Sequence, residues 1–176
     1  GSIKEVETSF VTKYGEKLSI SLSTFLMRNR DSALQGIVCI ARDITERKKA
    51  EETLRESEEK FRKIFESAND CLIYLDRSGR ILDVNRKAVE AFGGSKKELL
   101  GKHFARVSVF SPREIPTLMS AFAKALADKQ AAINVCIKNK KGQETHVEVS
   151  GSPVKIHGKS TGLLVVARDV TERKKA

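Results

Sequence analysis

The sequence contains no tryptophan, only three cysteines and three prolines, and no long apolar segment. Its apolar stretches fall well short of the roughly 20 residues that a membrane-spanning helix requires, and no signal-peptide pattern opens the chain. Cys39, Cys71 and Cys136 are odd in number, far apart, and each lies in an apolar, strand-like stretch. This pattern disfavours disulfides and metal sites. We therefore expect three reduced, buried thiols, no metal and a cytoplasmic location.

Catalytic and phosphate-binding motifs are also missing. The sequence has neither GxxxxGK[ST] nor GxGxxG, the glycine-rich loops that surround phosphates. The three histidines, His103, His146 and His157, are scattered over a helix end, an alternating strand and a loop. The sequence therefore indicates no catalytic residue, and we expect this chain not to be an enzyme.

The positive charge is large but dispersed. The net charge is +10, and most of the excess falls after residue 67, at turns and loop edges. A nucleic-acid site would gather these cations on one face, with aromatic side chains between them for base stacking. The pattern favours a solvated surface, and we expect contact with neither nucleic acid nor membrane.

Residues 43–66 are densely charged, lack glycine and proline, and consist mostly of strong helix formers. An a/d-like stripe marks one face of this helix, with a serine in one of its core positions. The stripe consists of Ala50, Leu54, Ser57, Phe61 and Ile64. The spacing predicts an amphipathic connector helix that forms a weak, adjustable coiled coil, and hence a homodimer.

Two segments of the chain repeat the same pattern. Residues 3–42 predict three strands that lead into DITERKKA, and the residues after 130 predict three strands that lead into DVTERKKA. Gly15 corresponds to Gly142 and Gly36 to Gly162. A repeat of about 45 residues in only two copies indicates tandem domains and not a solenoid.

The second copy is preceded by further elements. CLIYLD and RILDV predict two strands, and Asn85 is the predicted N-cap of a short helix that ends at Gly93-Gly94. Ser95 and Glu98 have the spacing of a capping box, and Pro116 lies near the start of a longer helix. The order β-β-α-α-α-β-β-β predicts an α+β fold, a five-stranded antiparallel sheet with helices on one face.

ESANDCLIYLDRSGRILDVNRKAVEAFGGSKKELLGKHF and the closing GLLVVARDVTERKKA resemble the PAS (sensory box) family. The resemblance implies three parts: 1–42 as the last three strands of an upstream PAS copy, 43–66 as a connector and 67–176 as a complete PAS domain. The connector is similar to helices that join tandem PAS domains in bacterial and archaeal sensor histidine kinases. The front half of the upstream copy is expected to lie outside this chain. Its three strands are then expected either to pack on another copy or to lack stable order.

The resemblance also implies a cavity between the sheet and the long helix. We expect its wall to comprise Ile73, Leu75, Phe92, Phe104, Met119, Phe122, Val135, Ile137, Val149 and Val166. Haem is not expected, because haem-binding relatives place a histidine on the helix at 116–129, where this sequence has none. Light-sensing flavin relatives carry NCRFLQ, which does not occur here. A small apolar or weakly polar metabolite and a filled core without ligand both remain open.

The two DxT motifs, Asp43/Thr45 and Asp169/Thr171, are the expected signal-relay residues, since each joins a sheet to the helix that follows. Asp43 with Glu46, and Asp169 with Glu172, have capping-box spacing. An ordinary helix cap and a switch are both compatible with this spacing.

The functional interpretation is a sensor and relay region of a multi-domain signalling protein, such as a sensor histidine kinase, that senses a small ligand or dimerises. One alternative is a dimerisation or spacer domain that binds no ligand. Another is an input domain for a cyclic-dinucleotide or transcriptional output domain.

Overall fold

The computed structural model describes residues 4–129, 132–138 and 142–171. The chain divides into two compact units, with the division between Phe61 and Arg62. Each unit contains its own antiparallel sheet. The division lies inside the predicted connector, so the helix contributes its first part to one unit and its last part to the other.

The first unit contains the three strands that the sequence predicts. They are β1 (Lys4–Val11), β2 (Lys17–Arg28) and β3 (Leu34–Asp43), antiparallel and in the order β1-β2-β3. The turn between β1 and β2 contains Gly15 at φ +83°, a conformation that glycine adopts without steric cost. Helix α1 (Thr45–Ser67) follows β3, so a helix is present where the sequence predicts one.

One face of this sheet carries apolar residues from all three strands, because directly paired residues point to the same side. Val6 pairs with Leu22, and Leu22 with Ala41. Within the described part of this unit the face is largely uncovered: Phe10 is 50% exposed and Ile37 61%. Cys39, which pairs with Thr24 on the same face, is also exposed. The prediction that this thiol is buried is therefore wrong, because no element among the described residues of the unit covers it.

The second unit has the predicted order of elements. Its strands are β4 (Cys71–Asp76), β5 (Ile81–Val84), β6 (Ala132–Lys138), β7 (Glu144–Ile156) and β8 (Lys159–Asp169), in the order β5-β4-β8-β7-β6. Between β5 and β6 lie α2 (Arg86–Phe92), α3 (Lys96–Leu99), a 3₁₀ turn (Phe104–Arg106) and α4 (Ile115–Leu126). The core lies between the sheet and these helices, which confirms the α+β, five-stranded antiparallel fold.

Asn85 is fully buried and joins β4 to α2. Its Oδ1 accepts from the N–H groups of Ala88 and Leu72, each at 3.0 Å, and its Nδ2 donates to the Asp70 carbonyl at 3.0 Å. The predicted N-cap is confirmed, and the cap also fixes the strand beside it. The Ser95/Glu98 capping box is confirmed as well.

Helix α4 packs closely on the sheet through Gly151. A Cβ at this position would lie 2.9 Å from Leu163 Cδ2 and 3.3 Å from Ala125 Cβ. A larger residue would require Leu163 and α4 to shift, so glycine favours this close approach of the helix to β7 and β8. The helix therefore lies near enough to the strands for its side chains to wall a narrow internal space.

Candidate functional site

A cavity of about 420 Å³ lies between the inner face of the second sheet and helices α2 and α4. This volume falls within the range of small-molecule sites. Most of its wall is aliphatic or aromatic. The residues that line it are Asn69, Cys71, Ile73, Leu75, Ile81, Lys87, Glu90, Ala91, Phe92, Phe104, Val107, Phe110, Leu118, Ala121, Phe122, Ala125, Ile133, Ile137, Thr145, Val147, Val149, Gly151, Val165, Ala167 and Asp169.

Most residues that were expected to line the cavity do so in the structure. They are Ile73, Leu75, Phe92, Phe104, Phe122, Ile137 and Val149. The inward residues of each strand alternate with residues of the outer face, as the period of a strand requires. The aromatic side chains meet in pairs: the ring centroids of Phe104 and Phe122 lie 5.2 Å apart, and those of Phe92 and Phe110 lie 6.2 Å apart.

Three expected lining residues lie elsewhere. Val166 pairs with Leu72 on the outer face of the sheet, while its neighbours Val165 and Ala167 line the cavity. Neighbouring residues of a strand point to opposite faces of the sheet. The prediction for Val166 is therefore wrong by one residue along β8. Met119 lies on the solvent side of α4 and is 40% exposed. Val135 is 4% exposed and packs in the core, but it is not part of the cavity wall.

The sequence interpretation also missed the polar part of the wall. Lys87 and Glu90 lie three residues apart on one side of α2, and their side chains form an ion pair at 3.4 Å. Asn69, Cys71 and Asp169 complete this part of the wall. The spacing of Lys87, Glu90 and Ala91 indicates that they share one side of a helix. Charge, however, favours a position in solvent over one in a cavity wall.

Cys71 is half-buried at this end of the cavity. Burial is the main cause that raises the pKa of its thiol, and the nearby Asp70 carboxylate raises it further. Lys87 acts in the opposite direction, and Asp169 and Glu90 again raise the pKa. The thiol form is therefore favoured at neutral pH.

At the end of β8, Asp169 and Thr171 form a set of bonds that we call the strand-to-helix clasp. Asp169 Oδ1 accepts from the Thr171 N–H at 2.8 Å, and Thr171 Oγ1 accepts from the His146 N–H at 3.1 Å. The Val170 N–H donates to the His146 carbonyl at 2.9 Å. The clasp thus ties the residues after β8 to strand β7. The expected partner Glu172 lies outside the described residues.

The same clasp occurs in the first unit. Asp43 Oδ1 accepts from the Thr45 N–H at 2.8 Å, and Thr45 Oγ1 accepts from the Ser19 N–H at 2.9 Å. The Ile44 N–H donates to the Ser19 carbonyl at 2.8 Å. Hydrogen bonds from Thr45 hold the pKa of Asp43 below its ordinary value.

The capping box expected for Asp43 and Glu46 is replaced by this arrangement. Asp43 bonds to the residue two positions on, and Glu46 instead forms an ion pair with Lys49 at 3.6 Å. The reason is that α1 begins at Thr45, so that Asp43 lies one residue before the N-cap position.

The last turn of α1 belongs to the second unit, where ion pairs and one buried ring hold it in place. Arg62 and Lys96 contact Asp83 at 2.8 and 2.5 Å, and Lys96 also contacts Glu66 at 3.2 Å. Glu66 Oε2 accepts from the Arg86 N–H at 2.8 Å, at the first residue of α2. Phe65 is only 4% exposed. The end of α1 therefore contacts the first residue of α2, and the following residues of α2 line the cavity.

No helix among the described residues is long and apolar enough to span a membrane. In the same part of the chain, no three His, Cys, Asp or Glu side chains are grouped so that they could hold a metal ion.

Comparisons with known proteins agree with this architecture. A family model described as PAS fold matches residues 65–175, and one described as PAS domain matches residues 1–46. The methyl sulfide methyltransferase-associated sensor of Methanosarcina acetivorans is 33% identical over 129 residues, which cover 72% of this chain and 12% of that protein. Sporulation kinase E of Bacillus subtilis is 32% identical over 135 residues, which cover 77% and 18%.

A solved structure shares the fold. The PAS domain of a protein from Colwellia psychrerythraea superposes with a TM-score of 0.57 at 21% identity, over 65% of this chain and 98% of that one. The chain spans less than a fifth of the length of the two curated relatives named above. The family model for the PAS fold covers more than half of the chain and includes both the cavity and β8. The chain belongs to the PAS family of sensor domains.

Proposed function

We propose that the chain is the sensing and relay section of a longer signalling protein. In this proposal residues 67–176 form the sensor, residues 43–66 connect it to an upstream PAS copy, and residues 1–42 are the last strands of that copy. The small share of each relative that the chain spans supports a longer parent protein. A cytoplasmic location belongs to the same proposal, on the basis of the number and spacing of the cysteines.

One observation carries the proposal: the cavity and the clasp share strand β8. Val165, Ala167 and Asp169 line the cavity on alternate positions of this strand, and Asp169 also forms the clasp. A ligand that displaces the end of β8 therefore changes the geometry of a helix start. A hydrogen bond of this kind is worth about 1 kcal/mol, which is enough to change a two-state population about fivefold.

Binding is tested by native mass spectrometry of the freshly purified chain. We expect a bound small molecule in stoichiometric amount, and loss of that mass in Ile133→Trp, which places a bulky ring in the cavity. Asn134→Trp is the matched control, because Asn134 is exposed on the opposite face of the same strand. Equal occupancy in both variants, or an empty wild-type protein, contradicts a ligand site in this cavity.

The relay role is tested by Asp169→Ala in the full-length parent. A simple cap and a switch both predict a frayed helix start. Only the switch predicts altered output from a protein whose stability is otherwise unchanged. Autophosphorylation measures the output, and thermal melting measures the stability. We propose a histidine kinase as the output, because one relative is named as a kinase. An output domain for cyclic dinucleotides or transcription is the alternative, and the coding sequence downstream of this segment distinguishes the two.

A second candidate function, dimerisation without a ligand, is supported by the exposed stripe on α1. Leu54 is 60% exposed, Phe61 61% and Ile64 71%. Side chains of this size at a/d spacing are suited to a second copy of the helix. Sedimentation of the wild type and of Leu54→Glu tests it: a dimer that dissociates in the variant supports pairing through α1, whereas a monomeric wild type contradicts it.

A further inference from the structure

The polar residues of the cavity wall are gathered at one end. Along the sheet, Leu75 pairs with Leu163, Cys71 pairs with Ala167, and Asp169 lies two residues beyond Ala167. Phe104 marks the opposite end, since it contacts the turn after β4, where a Cβ on Gly79 would lie 2.9 Å from its ring. The cavity therefore runs from an aromatic end to a polar end where β8 terminates.

Negative charge predominates at the polar end. Among the described residues that line the cavity, Lys87 is the one lysine or arginine, and it is paired with Glu90. The Asp169 carboxylate remains as a second anion. Asp70, beside Cys71, is paired with Arg168 at 2.8 Å. Burial is the main cause of the raised pKa of Cys71, and among the nearby charges three carboxylates raise it while one lysine lowers it.

We propose that the cavity is selective for a small primary amine, with an aryl or alkyl body at the aromatic end and an ammonium group beside Asp169. The proposal rests on the proposed function, because it specifies the ligand of the same cavity. An ammonium group supplies three hydrogen-bond donors, which suit carboxylate acceptors. A carboxylate ligand would instead place a third anion beside Asp169 and Glu90.

An amine bound at this end would also affect the clasp directly. Asp169 accepts the Thr171 N–H in the clasp, so an ammonium group beside it competes for the same carboxylate. Ligand binding and the clasp are then linked through one side chain.

Three probes of matched size test this selectivity: 2-phenylethylamine, 2-phenylethanol and phenylacetate, titrated into the full chain at pH 7 by calorimetry. We expect the amine to bind about fivefold more tightly than the alcohol, since an ion pair near solvent contributes no more than this, and the acid to bind most weakly. In Asp169→Asn, which retains the Oδ1 acceptor, the amine-to-alcohol ratio should fall towards one.

Asp128→Asn is the matched control, because it removes the same charge from an exposed residue outside the cavity wall. Its amine-to-alcohol ratio should equal that of the wild type. Lys87→Gln removes the cation of the polar end and should raise the ratio, which provides a test even if Asp169→Asn does not fold.

The outcomes separate the two proposals. If the alcohol binds and the amine binds no better, or if the ratio is unchanged in Asp169→Asn and Lys87→Gln, the amine selectivity is wrong while the ligand cavity stands. If none of the three probes binds, both proposals are overturned for ligands of this size.

Discussion

Asn85 shows how much one side chain can fix in this fold. It is fully buried, and its three hydrogen bonds reach β4, the residue before β4 and the first turn of α2. The sequence identified it as a helix cap but not as a strand anchor. The second role depends on a neighbour 13 residues away, which local spacing does not reveal.

Asn85→Ala should therefore lower the free energy of unfolding more than the loss of an ordinary helix cap does. Loss of the side chain leaves the Leu72 and Ala88 N–H groups without this acceptor, and each buried unsatisfied group costs about 1–3 kcal/mol. We expect a destabilisation of about 3 kcal/mol in urea unfolding. Ser95→Ala, at the exposed cap of α3, should cost about 1 kcal/mol. Equal costs for the two variants would contradict the anchoring role of Asn85.

The ion pairs of Asp83, which hold the last turn of α1, should weaken at acidic pH. Burial by itself would raise the pKa of Asp83, but hydrogen bonds from Lys96, Arg62 and Val84 outweigh it and hold the pKa below its ordinary value. A carboxylate whose pKa is lowered in the folded state contributes stability above its unfolded pKa of about 3.9 and loses it as the pH falls through the folded pKa.

Asp83→Asn should accordingly destabilise the protein by about 1 kcal/mol at pH 7, because its ion pairs are partly exposed. The difference in stability between Asp83→Asn and the wild type should become smaller below about pH 4. Thermal melting from pH 7 to pH 3 measures it, with Asp31→Asn in the exposed turn before β3 as the control. A difference that stays constant over this range would argue against the charged network.

At the scale of elements, the repeated clasp is the clearest structural unit. In both copies the strand ends in an aspartate, and the threonine two positions on accepts a strand N–H through its Oγ1. The sequence repeat predicted that the motifs correspond. The partner strand could not be predicted, because Ser19 and His146 are brought to the motif only by the register of the sheets.

Thr171→Val retains the shape of the side chain but removes the oxygen that accepts the His146 N–H. We expect that amide to exchange about fivefold faster with deuterium, as loss of a bond worth about 1 kcal/mol implies. Thr45→Val should do the same at Ser19 in the first unit and provides an independent replicate. Unchanged exchange at His146 in Thr171→Val would show that the clasp does not protect this strand.

At the scale of the whole molecule, the order of elements and the sheet could be predicted because caps, turns and strand periodicity all indicate the same fold. The cavity wall was predicted less completely. Val166 was chosen instead of Val165 because both are apolar and only sheet pairing decides the inward face. Lys87, Glu90 and Asp169 are absent from the predicted wall because charge usually indicates solvent, yet Glu90 and Asp169 are exposed and still border the cavity.

The proposal depends most on whether a ligand in the cavity of the second unit changes the clasp at the end of β8. Amide correlation spectra of the ¹⁵N-labelled chain, recorded during a titration with 2-phenylethanol, test it most directly. The account predicts that the amides of Thr171 and His146 shift together with those of Val165 and Ala167, while Thr45 in the first clasp does not. Shifts confined to the cavity wall, or no shifts at all, would contradict it.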